Sequence, residues 1–243
     1  MPAASVRGAV SFLTRVPVGG SVDADDVARG AALFPLVGAG VGALSGAVAV
    51  LLHPTLSPLL AATAAVAVAA VITGGMHLDA LADTADGLGA HSRERALEIM
   101  RDSRVGTFGA TALVLDLLLK IGAIGTLLVH GDALASLVAA GALSRAASPP
   151  LAATLRYPRV EGGPGSVLSG RTSLGTATFA VLIAVAAALL LGRAWLIVAV
   201  AAAAILLGLF YRRWLGGATG DCLGAATELS ETLALVVAAA LAG

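Results

Sequence analysis

The stretch "TFGATALVLDLLLKIGAIGTLLV", residues 107 to 129, decides the fold. Only two of its residues, Asp116 and Lys120, are charged. About 20 predominantly apolar residues let a helix cross ~30 Å of hydrocarbon, so the stretch predicts a transmembrane helix. Six further apolar runs flank it: 31–52, 58–76, 132–149, 174–192, 194–211 and 222–242. We therefore predict an all-α, polytopic integral membrane helix bundle of about seven transmembrane helices, with residues 1–243 forming a single membrane-embedded domain.

The composition supports the lipid bilayer as the environment of this chain. Hydrophobic residues make up 58% of the sequence and charged residues only 12%, whereas roughly 25% of a typical soluble domain is charged. The net charge is zero and no run of five or more basic residues occurs, so we expect no nucleic acid partner. The single cysteine, Cys222, excludes a disulfide within the chain. Glycine-rich helix faces favour self-association as a homo-oligomer.

The arginines predict the orientation. If the N-terminus is cytoplasmic and the seven helices alternate, thirteen of the fifteen basic residues lie on the inner side, and Arg193 and Lys120 are the exceptions. Cytoplasmic loops carry such an excess of positive charge. The first thirty residues also lack the compact apolar core of a cleaved signal peptide. We therefore expect a multi-pass protein of the inner (cytoplasmic) membrane.

An acidic segment, "HLDALADTADG", occupies residues 77 to 87 at the cytoplasmic mouth of the second span. Asp79, Asp83 and Asp86 are spaced by four and three residues, so on a helix they share one face. Like charges at this spacing repel, and Mg²⁺ relieves that repulsion while also accepting substrate phosphates as ligands. The alternative is a solvated acidic loop that caps a helix. His77 is either a ligand, a base or an interfacial residue.

The next segment, "EIMRDSRVGTFG", occupies residues 98 to 109 and precedes the span at 107–129. Arg101 and Arg104 flank Asp102 and Ser103 there. Arginines beside a helix N-terminus are suited to binding a phosphate, although an ordinary positive-inside anchor with a Ser/Thr cap has the same composition. Together with the adjacent aspartates, the segment favours a metal–diphosphate site.

Charged residues within the spans form two groups. Asp116 and Lys120 are four residues apart and can pair with each other, or the lysine can reach a substrate. Asp221, Glu228 and Glu231 share one face of the last span and require arginine or metal as a partner. The loop "RYPRVEGGPG", residues 156 to 165, carries Arg156 and Arg159 and is either a lid over a phosphorylated substrate or a connector.

Six blocks of this sequence resemble the cobalamin 5′-phosphate synthase family, also called adenosylcobinamide-GDP ribazoletransferase. The blocks are "FLTRVPV", "PLVGAGVGAL", "GGMHLDALADTADGLGA", "IMRDSRVGTFG", "RYPRVEGG" and "GGATGDCLGAATELSE". They occur in order between residues 12 and 231, so the resemblance covers nearly the whole chain. One departure is Ala80, which stands where the family usually has glycine.

The resemblance implies a Mg²⁺-dependent membrane enzyme that joins adenosylcobinamide-GDP to α-ribazole, or to its 5′-phosphate, and releases GMP, with its active site facing the cytoplasm. The candidate catalytic residues are Asp79, Asp83, Asp86 and Asp102. The candidate Mg²⁺ ligands are Asp79, Asp83, Asp86 and Asp221. The candidate substrate-binding residues are His77, Arg101, Ser103, Arg104, Lys120, Arg156, Arg159, Glu228 and Glu231.

Two other functions fit parts of the pattern. A membrane phosphotransferase that uses CDP-activated alcohols also places aspartates at the cytoplasmic end of a helix. Its full signature, D-G-x2-A-R followed by G-x3-D-x3-D, is missing here, because no D-G-x2-A-R precedes Gly75, Asp79 and Asp83. A transporter coupled to protons or cations requires acids near the midplane and repeated halves. Most acids of this chain cluster at one surface instead, and the sequence blocks do not repeat.

Overall fold

The computed structural model describes residues 3–159 and 164–242, and this part of the chain is helical with no strand. The all-α expectation is therefore confirmed. The α-helices, in chain order, are α1 (Ala3–Leu13), α2 (Ala24–Gly30), α3 (Phe34–Leu52), α4 (Pro58–Thr73), α5 (Met76–Leu88), α6 (Arg93–Ile99), α7 (Thr107–Val129), α8 (Ala133–Arg145), α9 (Ser148–Thr154), α10 (Leu174–Leu190), α11 (Ala194–Leu215) and α12 (Gly220–Ala240). Two short 3₁₀ segments, Ala31–Leu33 and Pro164–Val167, complete the described structure.

Four helical segments of the described chain are long and apolar enough to cross a membrane. They are Ala24–Leu52, which runs through α2 and α3, and helices α7, α11 and α12. Helices α4 and α5 together make a fifth if this bent pair is counted as one span. The apolar helices indicate a membrane protein, while the predicted number of about seven spans stays a prediction.

Two of the predicted spans are interrupted. The run 58–76 breaks after Thr73, because Gly74 and Gly75 both adopt positive φ angles, of 66° and 68°, and α5 then leaves at 90° to α4. The run 132–149 ends as α8 at Arg145 and restarts as the short helix α9, whose first turn contains Pro149. The amphipathic helix α1 lies before every predicted span and was not anticipated.

Small residues bring the central helices into close contact. Helices α3 and α8 cross where Gly38 faces Gly141, and a Cβ atom on either glycine would collide with the backbone of the other. Small residues allow membrane helices to approach in this way. Helix α8 is consequently surrounded by other helices, and ten of its 13 residues are buried.

Ala80 on α5 packs against Gly224 on α12. A Cβ atom added to Gly224 would lie 2.5 Å from the Cβ of Ala80, and Ala80 is only 8% exposed. The methyl group of Ala80 therefore occupies the space that Gly224 leaves open. This contact joins the helix that carries the acidic segment to the last helix of the bundle.

We expect Gly224→Ala to destabilise the protein, and the added substitution Ala80→Gly to restore part of the loss. Overpacking a close helix contact by one methyl group costs about 1–3 kcal/mol, and removing the opposing methyl relieves the clash. The melting temperatures of both single variants and of the double variant, measured in one detergent, check this. A double variant no more stable than Gly224→Ala would contradict the contact.

Candidate active site

A cavity of about 210 Å³ opens between the end of α1, the start of α5 and the start of α12. Its apolar wall includes Phe12 and Leu13. Its charged and polar wall includes His77 and Asp79 from α5 and Asp221 from α12. The 90° bend before α5 and the Ala80–Gly224 contact bring these two helices together. Two carboxylates that are far apart in sequence therefore face one cavity.

The predicted row of aspartates does lie on one helix, α5. Asp79 is exposed, whereas Asp83 and Asp86 are half-buried. The negative charges of Asp79, Asp221 and Asp86 all act on Asp83, and the positive charge of Arg159 partly offsets them. Three carboxylates from α5 and one from α12 are therefore close enough for their charges to act on one another, and Arg159 is the cation that acts on Asp83.

Asp221 is held by Arg159. Arg159 Nη2 donates a hydrogen bond to Asp221 Oδ2 at 3.0 Å, and Thr219 Oγ1 donates to the same oxygen at 3.3 Å. The Arg159 side chain is only 6% exposed. Within residues 3–159 and 164–242, nothing accepts a hydrogen bond from its buried Nε. Arg159 therefore anchors one carboxylate and keeps a further donor for an anionic ligand.

Asp86 binds the start of α7. Its Oδ2 accepts a hydrogen bond from the Gly106 backbone N–H at 2.7 Å, and its Oδ1 accepts one from the Gly109 N–H at 2.8 Å. These N–H groups have no partner within their own helix, and a carboxylate there also interacts favourably with the helix dipole. Asp86 therefore caps the start of α7 from within helix α5, and the backbone N–H groups of Gly106 and Gly109 are already used.

We expect Asp86→Ala to lower the free energy of unfolding by about 1–2 kcal/mol, the usual effect of losing a helix N-cap. Hydrogen exchange at the Gly106 and Gly109 amides should rise in the variant, because both lose their acceptor. Ser57→Ala is a matched control, since Ser57 caps α4 and its loss should leave those two amides protected. Unchanged exchange at Gly106 and Gly109 in Asp86→Ala would contradict the cap.

The basic loop between α6 and α7 is largely exposed, and Arg104 and Asp102 within it bind each other. Arg104 Nη2 donates to Asp102 Oδ2 at 2.6 Å. Hydrogen bonds from the Arg104 side chain and backbone lower the pKa of Asp102 to about 2. Arg101 and Ser103 are exposed on the same loop. The predicted roles of these four residues at a diphosphate stay predictions.

The second predicted loop is only partly described. Arg156 is exposed, and its backbone carbonyl accepts a hydrogen bond from the Ala218 N–H at 3.0 Å. This contact joins the loop to the start of α12. Residues 160–163 of the predicted lid lie outside the described residues.

A second group of charges is buried between α7, α8 and α12. Lys120 Nζ lies 2.5 Å from Glu228 Oε1, 3.7 Å from Glu231 Oε1 and 3.8 Å from Asp116 Oδ2. Arg145 Nη1 pairs with the other oxygen of Glu231. The predicted pairing of Asp116 with Lys120 therefore exists, within a larger network. The network holds three acids and two bases, so each base has at least one acid as a partner. The predicted contact of Lys120, Glu228 and Glu231 with substrate stays a prediction.

His77 stands between this network and the acid-lined cavity. It lines the cavity that contains Asp79, and it also lines a cavity of about 40 Å³ bordered by Lys120, Arg145 and Glu228. Arg145 is the network member that sequence reasoning counted only as a cytoplasmic positive charge. Its position inside the apolar run 132–149 is the signal that identifies it as a buried partner for an acid.

The donors at the acid-lined cavity are of the kind that could hold a magnesium ion together with a phosphorylated ligand. Among the described residues, no three His, Cys, Asp or Glu side chains form a ready-made metal site. Mg²⁺, however, is usually held by one or two carboxylates plus substrate phosphates. Asp79 and Asp221 supply two carboxylates at one cavity. The larger predicted ligand set, which adds Asp83 and Asp86, stays a prediction.

The fold and this cavity together define a helical membrane protein with a carboxylate-lined site, in which Arg159 binds one of the carboxylates. The family model described as cobalamin-5-phosphate synthase matches residues 5–239. The chain therefore belongs to the cobalamin-5-phosphate synthase family, and it is a transferase of cobalamin synthesis, as the resemblance implied.

Relatives of similar length are named for one activity. A Klebsiella pneumoniae protein named adenosylcobinamide-GDP ribazoletransferase is 44% identical over 242 residues, covering 96% of this chain and 98% of its own. An Escherichia coli O139:H28 protein of the same name is 44% identical over 238 residues, covering 93% of this chain and 96% of its own. No solved structure matches the chain.

Proposed function

We propose that this protein transfers the phospho-cobinamide group of adenosylcobinamide-GDP to α-ribazole or its 5′-phosphate and releases GMP. The observation that carries the proposal is the cavity where Asp79 and the Arg159-bound Asp221 meet. Phosphoryl transfer needs mainly positioning and charge stabilisation from the protein. Two carboxylates that line one cavity, one of them held by the buried Arg159, can provide both for a diphosphate.

The step forms one phosphorus–oxygen bond and breaks another. A ribose hydroxyl of ribazole attacks the phosphorus attached to cobinamide, and the bridging bond to GMP breaks, so that GMP leaves with the bridging oxygen. With the 5′-phosphate as acceptor, the product retains that phosphate, so the attacking hydroxyl is not the 5′-hydroxyl.

We assign acceptance of the hydroxyl proton to Asp83. Three other carboxylates surround it, and no lysine or arginine of the described chain forms an ion pair with it. Arg159 offers its free donor to a non-bridging phosphate oxygen. Asp79 and Asp221 would hold Mg²⁺, which when bound supplies positive charge against the diphosphate.

We further propose that the chain crosses the inner membrane about seven times, with its N-terminus and its active site on the cytoplasmic side. The turns before α8 and before α11 are both predicted to lie outside. In support, Arg193 of one turn donates to Asp132 of the other at 2.6 Å. The turns therefore lie at the same end of the bundle, as this topology requires.

The proposal is tested by following GMP release from adenosylcobinamide-GDP in liposomes that contain the purified protein. We expect release that needs both a ribazole acceptor and Mg²⁺ and that stops with EDTA. Release of CMP from CDP-activated alcohols, without release of GMP from adenosylcobinamide-GDP, would favour the other phosphotransferase class. Well-folded protein that releases GMP only in the absence of any acceptor would contradict transfer.

A further inference from the structure

An apolar groove made of two adjacent cavities runs along the surface of α11. The cavities, of about 210 and 290 Å³, share Pro150, Ala204 and Ile205 as lining residues. The first is lined entirely by apolar side chains from α8 to α11. None of the residues that line either cavity lines the acid-lined cavity. The groove is therefore separate from the proposed active site.

The groove is longer than one leaflet of the bilayer is deep. It extends from Ile197 in the first turn of α11 to Arg212 in its last turn. With a rise of 1.5 Å per residue this is about 22 Å. One leaflet is roughly half of the ~30 Å hydrocarbon thickness. The groove can therefore accommodate an acyl chain over the full depth of one leaflet.

A positive charge stands at one end of the groove. Arg212 lines the second cavity and is exposed, and no acid in the described part of the chain pairs with it. The guanidinium group binds phosphate oxygens in a two-pronged geometry. Arg213, the next residue, is exposed as well but does not line the groove.

We propose that this groove binds one acyl chain of an anionic phospholipid, whose phosphate is held by Arg212. The apolar lining matches the chain, the groove is long enough for the full depth of one leaflet, and the unpaired arginine matches the negative headgroup. α11 is also one of the helices that the bilayer surrounds in the proposed topology. The bound lipid would fill the space between α8, α10 and α11.

Native mass spectrometry of delipidated protein, to which phosphatidylglycerol or phosphatidylcholine is added back, tests this proposal. We expect the wild type to retain phosphatidylglycerol preferentially. Arg212→Gln should lower its occupancy at least fivefold, while Arg213→Gln, which removes the same charge beside the groove, should leave it unchanged. Equal losses in the two arginine variants, or equal retention of the two lipids by the wild type, would overturn the proposal.

A second pair of variants tests the groove itself. Ala204 lines both cavities, so Ala204→Phe should lower the occupancy of bound lipid, whereas Ala202→Phe, on an exposed position outside the groove, should not. Retained lipid in Ala204→Phe would overturn the proposal. So would a dimer of the wild type that only Ala204→Phe abolishes, because a second copy would then occupy the groove.

Discussion

Asp83→Asn lowers the rate of GMP release by at least about a hundredfold, the contribution of a positioned general base. The variant keeps the size of the side chain but replaces the carboxylate that accepts the proton by a neutral amide. Because Asp83 has no ion-pair partner among the described residues, its loss should leave the fold intact. Initial rates of GMP release at saturating adenosylcobinamide-GDP, with the melting temperature measured alongside, check this result.

Glu94→Gln is the matched control for this substitution. It removes one negative charge from the exposed start of α6, in the same region of the chain, and should leave the rate unchanged. Full activity of Asp83→Asn with an unaltered requirement for Mg²⁺ would remove Asp83 from the site.

Lys120→Met destabilises the protein by about 3–5 kcal/mol, because removing one partner of a buried ion pair leaves the other charge uncompensated. Glu228 is 4% exposed and loses its nearest cation, and Arg145 is already paired with Glu231. The free energy of unfolding in mixed micelles measures the effect. The double variant Lys120→Met/Glu228→Gln should recover part of the loss, because it also removes the unpaired charge.

A surface pair provides the comparison for the buried one. Arg95 and Glu98 form an exposed salt bridge at 2.7 Å on α6, and such pairs contribute about 0–1 kcal/mol. Arg95→Gln should therefore have little effect on stability. If Lys120→Met is as mild as Arg95→Gln, the buried network does not hold α7 against α12.

Local sequence patterns predicted the parts of the fold that depend on local composition. The run at 107–129 forms α7 with the same limits, and the acidic segment forms α5. The bend before α5 depends on two adjacent glycines that both adopt positive φ. A count of apolar residues does not detect such glycines, because glycine is common in transmembrane helices as well. The run 58–76 therefore predicts one uninterrupted span.

The candidate site was predicted less completely, because its key contacts join residues that are far apart in the chain. Asp86 shares a face of α5 with Asp79 and Asp83 in the sequence pattern, but the structure turns its carboxylate to the start of α7. Similarly, Arg159 and Asp221 are separated by 62 positions. The spacing of residues along one helix predicts which acids share a face. It cannot predict which donor from another helix or loop binds each acid.

The most direct test of the proposed transfer is the mass of the corrinoid product formed in ¹⁸O-labelled water from adenosylcobinamide-GDP and α-ribazole. Transfer predicts a corrinoid that has gained the ribazole group, and neither this product nor GMP carries ¹⁸O, because the new bond takes its oxygen from ribazole. Formation of ¹⁸O-labelled adenosylcobinamide phosphate or ¹⁸O-labelled GMP, without the heavier corrinoid, would show hydrolysis and contradict the proposed function.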